Sequence, residues 1–318
     1  MLAVAVTLFL INSSALAPQP AGGPRLLAHR GIAQQFDTTD VRNDTCTATR
    51  MRPPTHPYLE NTIASLQAAF AAGADIAEVD VHPTTDGQFA VFHDWTLDCR
   101  TNGSGVTREH AMAELRTLDI GYGYTADGGR TFPFRGKGVG LMPTLDEVLA
   151  AFPDRGININ INVKSRDRSE GTKLAAVLAR LDPARRAQLS VYGGDEPVGE
   201  ARRLLPDLRI TSRASLKACL LPYLALGWSG FVPEACHGVA VLVPINLAPW
   251  LWGWPNRFLA RMAGVGTDVY VIGPYHGGEF STGIDSAADL ARLPAGYAGG
   301  IWTNEIVLVA QRLKDRGP

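Results

Sequence analysis

Four short clusters of ionisable residues carry the chemistry that this sequence suggests, and two of them contain a histidine. These two are Ala28-His29-Arg30-Gly31 and Phe92-His93-Asp94. A histidine changes its charge near neutral pH, so His29 and His93 are candidates for a general base and a general acid. Either histidine alone also suits a structural role, so the assignment depends on the neighbouring clusters.

The other two clusters, Glu60-Asn61-Thr62 and Glu78-Val79-Asp80, supply carboxylates. Glu78 and Asp80 are two residues apart, so on a strand both point to the same face. Like charges held this close repel, and a hard cation such as Ca²⁺ or Mg²⁺ relieves the repulsion through oxygen ligands. An internal salt bridge of this pair with Arg30 or Lys164 is the alternative. The side chains of Arg30 and Lys164 also suit a phosphate group, Arg30 through bidentate hydrogen bonds and Lys164 as a point charge.

The segment Ile157–Lys164 indicates which fold positions these clusters. Its period of two places Ile157, Ile159, Ile161 and Val163 on one face and Asn158, Asn160, Asn162 and Lys164 on the other. Strands of an open doubly wound sheet are covered on both faces and are apolar on both. A barrel can carry polar side chains on its inner face near the mouth, where barrel enzymes place their sites. The pattern therefore favours a single (β/α)8 TIM barrel.

Strand-like and helical segments alternate along the chain, as a parallel sheet covered by helices requires. The expected strands are Arg25–Gly31, Asp75–Pro83, Phe89–Asp94, Gly156–Lys164, Leu189–Gly193, Leu208–Arg213, Asp268–Gly273 and Gly299–Asn304. The expected helices are Ile63–Ala72, Thr144–Phe152, Glu170–Leu181, Pro197–Leu205, Ser215–Leu226 and Glu305–Leu313. No Pro- or Ser-rich linker divides the chain, so we expect one domain over residues 18–318.

Composition excludes several classes of protein. The chain has 318 residues, 46% of them hydrophobic and 19% charged, with a formal net charge of −1. This composition argues against intrinsic disorder, and the absence of a basic excess argues against a nucleic-acid partner. No protein partner is predicted.

The N-terminus resembles a secretory signal peptide over residues 1–17. An apolar run from Leu2 to Ile11 precedes Ala15-Leu16-Ala17, a small-x-small cleavage pattern. As a helix the run extends roughly 15 Å, too short for a hydrocarbon core of about 30 Å. We therefore expect cleavage after Ala17 and export to the periplasm or the medium; an uncleaved apolar tail is the alternative, because no basic residue precedes the run.

The four cysteines fit an exported chain. Cys46, Cys99, Cys219 and Cys236 allow three pairings, of which we favour Cys46–Cys99 and Cys219–Cys236. A zinc site is the alternative, but no Cys-x-x-Cys spacing supports it.

Together the clusters resemble those of the glycerophosphodiester phosphodiesterase family. The resemblance covers Leu26 to Lys164 and includes Asp86-Gly87, with a weaker similarity at Gly300–Asn304. It implies a TIM barrel with one divalent cation at its mouth and catalytic histidines at His29 and His93. The implied metal ligands are Glu78 and Asp80, with Glu60 beside them, and the implied phosphate contact is Arg30.

Two departures from the family pattern concern the site. The family has Glu-x-Lys where this chain has Asn162 two residues before Lys164. An amide oxygen carries no charge, so we expect a more weakly held metal but a site that stays active. The second departure is an insertion of 28 residues, 32–59, which contains Cys46. It is either a lid that shapes the substrate pocket or a surface loop stapled for stability.

The resemblance implies hydrolysis of glycerophosphodiesters to glycerol 3-phosphate and an alcohol, by way of a cyclic phosphate. Trp302 is a candidate for lining the substrate pocket. The apolar stretch Val239–Trp254 either packs in the core as a helix or meets an acyl chain or a membrane surface through its tryptophans. The second case predicts lysophospholipase D-like activity. A barrel that binds a phosphate ligand without catalysis is a further alternative, supported only by Asn162.

Overall fold

The computed structural model describes residues 2–18, 20, 22–277 and 282–315. Met1 of the predicted signal peptide lies outside the described residues, as do 316–318 at the end of the predicted domain. Nine strands and eleven α-helices are assigned within the described ranges.

Eight parallel strands form a nearly closed barrel. The strands in chain order are β1 (Leu26–Ala28), β2 (Ile76–Pro83), β3 (Phe89–Val91), β4 (Gly156–Ile161), β5 (Leu189–Gly193), β6 (Arg209–Ser212), β7 (Ala240–Pro244), β8 (Asp268–Ile272) and β9 (Gly300–Thr303). Their order around the barrel is β6-β5-β4-β2-β1-β9-β8-β7, and β3 pairs antiparallel with β2 outside this path. At the remaining seam the Thr211 hydroxyl on β6 donates to the Ala240 carbonyl on β7 at 2.5 Å. The predicted TIM barrel is confirmed.

Helices cover the outside of the barrel. They are α1 (Leu2–Asn12), α2 (Ile63–Ala72), α3 (Met112–Leu115), α4 (Leu145–Ala151), α5 (Arg168–Leu178), α6 (Pro183–Arg186), α7 (Asp195–Leu204), α8 (Arg213–Leu226), α9 (Asn256–Ala263), α10 (Ala287–Ala291) and α11 (Ile306–Asp315). Helix α2 begins where Thr62 accepts a hydrogen bond from Ser65 N, and it ends at Gly73, whose φ of 116° suits glycine. The Glu-Asn-Thr motif is therefore the cap that starts α2.

The alternating pattern of β4 divides its side chains between the two faces of the barrel wall. Ile157, Ile159 and Ile161 are buried in the main core with the aliphatic residues of the covering helices. Asn158 and Asn160 are also buried, beside Glu78 and Asp80 of β2 in register. The expectation for Val163 is wrong, because the strand ends at Ile161 and the Val163 side chain is 50% exposed.

The helical interpretation of Val239–Trp254 is wrong. Residues Ala240–Pro244 form strand β7, and a short 3₁₀ turn, Ala248–Trp250, follows it. This strand is paired with β8 and largely buried, so it lacks the alternation that marks a half-buried strand. Trp254 packs against the core, whereas Trp250 is 76% exposed.

The insertion, residues 32–59, packs beside the barrel mouth against the long connection from β3 to α4. Ala48, Met51 and Leu59 share a second hydrophobic cluster with Phe92, Leu97, Met112, Leu115, Ile120, Tyr124, Phe134 and Met142. A disulfide joins Cys46 in the insertion to Cys99 in the connection, and a second joins Cys219 to Cys236. Both pairings match the sequence-based preference.

The apolar N-terminal stretch forms α1 on the barrel's outer side. Asn12 Nδ2 donates to the Trp228 carbonyl at 2.7 Å, and an Arg261 Nη donates to the Ile11 carbonyl at 3.0 Å. Among the described residues, no helix combines the length and apolar character needed to span a membrane. The signal peptide stays a prediction.

Candidate active site

The loop after β1 carries the first site residues in an unusual backbone conformation. Arg30 has a φ of 59°, in the left-handed region, and Gly31 follows with a φ of 75°. The Arg30 carbonyl accepts hydrogen bonds from Asn61 N at 3.1 Å and from the Ser65 hydroxyl at 3.0 Å. The start of α2 thus fixes the turn that presents His29 and Arg30 at the barrel mouth.

Glu78 is fully buried on the inner face of β2. Its Oε2 accepts from the Arg30 backbone N–H at 2.9 Å, and its Oε1 accepts from the Tyr192 hydroxyl at 2.7 Å. Burial, followed by repulsion from Asp80, raises the pKa of Glu78 well above its usual value. A second positive charge near this carboxylate would favour its ionised form.

Asp80 lies two residues further along β2 and holds a different set of partners. Its Oδ2 accepts from Asn61 Nδ2 at 2.8 Å, and its Oδ1 accepts from Asn160 Nδ2 at 2.7 Å. Arg30 Nε lies 3.1 Å from Oδ2 as an ion pair without hydrogen-bond geometry. Although burial opposes ionisation, Arg30 and the two histidines, His93 and His29, hold the pKa of Asp80 below its usual value.

His29 is oriented by an amide. Its Nδ1 lies 2.6 Å from Asn304 Oδ1, and Asp285 accepts from both Asn304 Nδ2 and Asn304 N at 2.7 Å. Because the Asp285 carboxylate fixes the Asn304 amide, Asn304 Oδ1 accepts a hydrogen bond from the protonated His29 Nδ1. The unprotonated Nε2 then faces Glu78 Oε2 at 3.8 Å. The buried Trp302 ring packs against the imidazole, with 4.2 Å between centroids.

His93 is oriented by a carboxylate. Its Nδ1 lies 2.7 Å from Asp94 Oδ1, and Asp94 Oδ2 accepts from Arg100 Nε at 2.9 Å. Although burial opposes ionisation, Arg100 and His93 hold the pKa of Asp94 below its usual value. The Asp94 carboxylate therefore fixes the ring of His93 at Nδ1, as the Asn304 amide fixes that of His29.

The structure brings together most of the residues that the sequence singled out, and the contacts of Glu60, Asn162 and Lys164 differ from those of the others. Both Glu60 oxygens face arginines, Oε1 with Arg30 at 3.0 Å and Oε2 with Arg100 at 2.9 Å. The Asn162 side chain contacts the backbone, accepting from Lys164 N at 3.0 Å and donating to the His93 carbonyl at 3.4 Å. Lys164 follows the end of β4 and its side chain is exposed. No hydrogen bond or ion pair among the described residues joins Asn162 or Lys164 to Glu78 or Asp80.

Asn160, two residues before Asn162, lies beside the carboxylates of β2. Its Nδ2 binds Asp80, while its Oδ1 is buried and has no hydrogen-bond partner within the described residues. Such an orphaned oxygen beside two carboxylates is the donor chemistry that Ca²⁺ or Mg²⁺ prefers. Within the described ranges, no three His, Cys, Asp or Glu side chains are placed to hold a metal ion together. A fit to a hard cation therefore depends on two carboxylates and this amide oxygen.

Sequence reasoning missed the residues that hold the histidines and the carboxylates in place. Three of these residues are far in sequence from the group they contact: Asn304, Asp285 and Tyr192. The fourth, Arg100, follows its partner Asp94 by six residues. The sequence offered one sign for Tyr192, its position in the predicted strand Leu189–Gly193. In the structure it lies on the inner face of β5, opposite Asn160 in register.

The fold and the site define an α/β-barrel protein with a pair of oriented histidines above a buried carboxylate cluster. A model described as the "Glycerophosphoryl diester phosphodiesterase family" matches residues 29–193, more than half of the 318 residues. The chain belongs to this family.

Individual relatives agree with this assignment. A glycerophosphodiester phosphodiesterase of Caldanaerobacter subterraneus subsp. tengcongensis is 38% identical over 106 residues, which cover 33% of this chain and 40% of that protein. The lysophospholipase D GDPD1 of Mus musculus is 31% identical over 231 residues, which cover 71% of this chain and 65% of that protein. The aligned parts thus span less than two thirds of either relative.

A solved structure shows the same fold. The glycerophosphoryl diester phosphodiesterase domain of an uncharacterized Mycobacterium tuberculosis protein aligns with a TM-score of 0.64 at 17% identity. The alignment covers 92% of this chain and all of that domain.

Proposed function

We propose that the protein hydrolyses glycerophosphodiesters to glycerol 3-phosphate and an alcohol. The observation that carries this proposal is the pair of histidines whose Nδ1 atoms are both bound, His29 to Asn304 and His93 to Asp94. Each Nε2 is left to exchange a proton, and that of His29 faces Glu78 Oε2 at 3.8 Å. Family membership supports the choice of a phosphodiester as substrate.

The two histidines differ in the group that binds Nδ1, an amide at His29 and a carboxylate at His93. Burial, followed by the positive Arg30, lowers the pKa of His29 well below its usual value, so His29 is neutral and suits a general base. We assign His93, whose Nδ1 is held by the Asp94 carboxylate, as the general acid. In the first step His29 Nε2 takes the proton of the neighbouring glycerol hydroxyl as its oxygen attacks phosphorus, and His93 Nε2 protonates the departing alkoxide. Water then opens the cyclic phosphate with the proton transfers reversed.

Charge neutralisation at the phosphate falls to Arg30 and to one divalent cation, Ca²⁺ or Mg²⁺. Glu78, Asp80 and Asn160 would hold the cation, with oxygen donors of the type that both ions prefer. When bound, it would act as a Lewis acid on a non-bridging phosphate oxygen. Arg30 already lies among these carboxylates, so its guanidinium is in place to offset the negative charge of a bound phosphodiester.

The test is a chelated sample reloaded with Ca²⁺, Mg²⁺ or Mn²⁺ and assayed on a panel of glycerophosphodiesters. We expect turnover in at least one reloaded sample and its loss after chelation. Binding of glycerol 3-phosphate without turnover on any substrate would instead identify a non-catalytic binding barrel.

A second candidate function, a lysophospholipase D-like activity, is favoured by an exposed apolar rim. Leu247 and Trp250 follow β7, Tyr275 follows β8, and all three side chains are exposed. The Asn246 side chain joins the two loops through two 2.8 Å hydrogen bonds to the Tyr275 backbone. Such a rim suits an acyl chain or transient contact with a lipid surface, and the similarity to the mouse lysophospholipase D agrees with it.

The two substrates are separated by comparing rates on glycerophosphocholine and lysophosphatidylcholine. Under the second candidate function, Trp250→Ala lowers kcat/KM for the lysolipid and leaves that for glycerophosphocholine unchanged. Equal effects on both substrates would remove the role of the rim.

We also propose that the protein is exported, because two disulfides suit an oxidising compartment. Mass spectrometry of the exported protein should give an N-terminus at Pro18. An intact chain beginning at Met1 would contradict cleavage after Ala17.

A further inference from the structure

Arg100 is a buried cation that the reaction scheme above does not use. Its side chain is 2% exposed, and it lies beneath His93 in the connection between β3 and α4. A buried guanidinium is tolerated only where its charge and its N–H groups find partners. The identity of those partners shows what Arg100 connects.

Four side chains from four segments surround the Arg100 guanidinium. Nη1 donates to Glu60 Oε2 at 2.9 Å and also to the Tyr124 hydroxyl, Nη2 donates to Thr47 Oγ1 at 2.7 Å, and Nε donates to Asp94 Oδ2 at 2.9 Å. The planar fork of arginine serves all four directions at once, which a lysine ammonium cannot do. Arg100 therefore fixes the plane of the Asp94 carboxylate as well as its charge.

The Asp94 carboxylate passes this orientation on to His93. One oxygen accepts from Arg100, and the other lies 2.7 Å from His93 Nδ1. A rotation of the carboxylate would turn the imidazole and move Nε2 away from the leaving oxygen. Misplacement of a catalytic group by about 1 Å can lower a rate by about a hundredfold.

The insertion takes part in the same chain of contacts. Thr47 follows Cys46 and Arg100 follows Cys99, so the hydrogen bond between Thr47 and Arg100 lies directly beside the disulfide. The disulfide thereby ties the insertion covalently to the segment that carries Arg100.

We propose that Arg100 is a positioning residue which, together with Thr47 of the insertion, orients Asp94 and so aims His93 at the leaving alcohol. This inference rests on the proposed function. It assigns the insertion a task in proton delivery, whether or not it also covers the mouth.

The test compares two substrates that differ in how much the leaving group needs a proton. The choline alkoxide of glycerophosphocholine must be protonated, whereas 4-nitrophenolate, from the glycerol 3-phosphate ester of 4-nitrophenol, leaves readily as an anion. Because His93 also acts when the cyclic phosphate opens, the first turnover is compared. We expect Arg100→Lys to lower the single-turnover rate of choline release from glycerophosphocholine by about a hundredfold, with the half-saturating concentration within about twofold, and to lower that of 4-nitrophenolate release by less than about fivefold.

Thr47→Val replaces the hydroxyl that binds Arg100 by a methyl group, so it disturbs the same contacts less than Arg100→Lys does. We expect a loss of about three- to tenfold in the single-turnover rate of choline release and almost none in that of 4-nitrophenolate release. The matched control is Thr49→Val, in the same turn, whose exposed hydroxyl bonds to the Cys46 carbonyl. This control should match the wild-type protein on both substrates.

Equal losses on both substrates in Arg100→Lys and Thr47→Val, or no loss in either variant, would overturn the inference and leave the proposed function intact. If Arg100→Lys fails to fold, Thr47→Val decides alone. A wild-type protein that hydrolyses neither diester would overturn the proposed function and this inference with it.

Discussion

Asn304 presents its amide oxygen to His29 Nδ1 at 2.6 Å, and this contact selects the tautomer of the histidine. The amide cannot turn over, because Asp285 accepts from its nitrogen at 2.7 Å. Asn304, directly after β9, thus leaves Nε2 of His29, directly after β1, free to take a proton.

Replacing Asp285 by asparagine should release this constraint. In Asp285→Asn the Asn304 amide can turn its NH₂ group toward His29, which favours the opposite tautomer and blocks Nε2 as a base. We expect kcat on glycerophosphocholine to fall by about a hundredfold, measured at saturating substrate. Asp289→Asn on α10 is the control and should retain activity. A fully active, folded Asp285→Asn variant would refute the assigned tautomer.

The two histidines should respond differently to the leaving group. His29→Ala should lower kcat by at least about a hundredfold on both glycerophosphocholine and the nitrophenyl diester, because each needs a base. In the first turnover, His93→Ala should slow leaving-group release by that much only on glycerophosphocholine, because 4-nitrophenolate leaves without a proton. Single-turnover release of choline and of 4-nitrophenolate decides the matter, because the later opening of the cyclic phosphate uses both histidines with either substrate. The reverse pattern would exchange the two roles.

Asn160, and not Asn162, should contribute to cation binding. We expect Asn160→Leu to weaken Ca²⁺ or Mg²⁺ binding by about tenfold in calorimetric titration, whereas Asn162→Leu changes it by less than about twofold. The comparison is matched, since both residues are asparagines at the same end of β4. A larger effect at Asn162, or phosphodiesterase activity that appears only in Asn162→Glu, would restore the sequence-based ligand.

Asp94 should make the stability of the protein depend on acidic pH. Its pKa is lowered in the folded protein, so the ionised carboxylate stabilises the fold above the unfolded value of about 4, and this stabilisation is lost as the pH falls. Asp94→Asn should therefore be less stable than the wild type at neutral pH. Urea unfolding should show the difference narrowing below about pH 4, by up to about 1.4 kcal/mol per pH unit. A difference that is constant with pH would contradict the ion pair with Arg100.

Alternation and spacing within short stretches of the sequence predicted the barrel wall and the carboxylates inside it. The alternation in Ile157–Ile161 indicated the barrel wall, and the spacing of Glu78 and Asp80 placed both carboxylates inside it. Strand β7 was missed because a buried strand has no alternation and its apolar run continues into the following turn. Length and flanking residues alone did not separate that run from a helix.

The position of a strand end is not visible in local pattern. Asn162 continues the alternation of β4, yet the pairing of β4 with β5 ends at Ile161. The Asn162 side chain therefore contacts the His93 backbone instead. Arg100 and Asp285 were missed for a related reason. Their roles depend on partners brought close by the barrel and the disulfide, and no spacing in the sequence marks such contacts.

The central claim is tested most directly by identifying the products. Cation-loaded protein is incubated with glycerophosphocholine and followed by ³¹P NMR, with His93→Ala as the matched control. The account predicts that the diester signal is replaced by glycerol 3-phosphate in the wild type and persists in the variant. An unchanged diester signal in the wild type, or phosphocholine as the product, would contradict it.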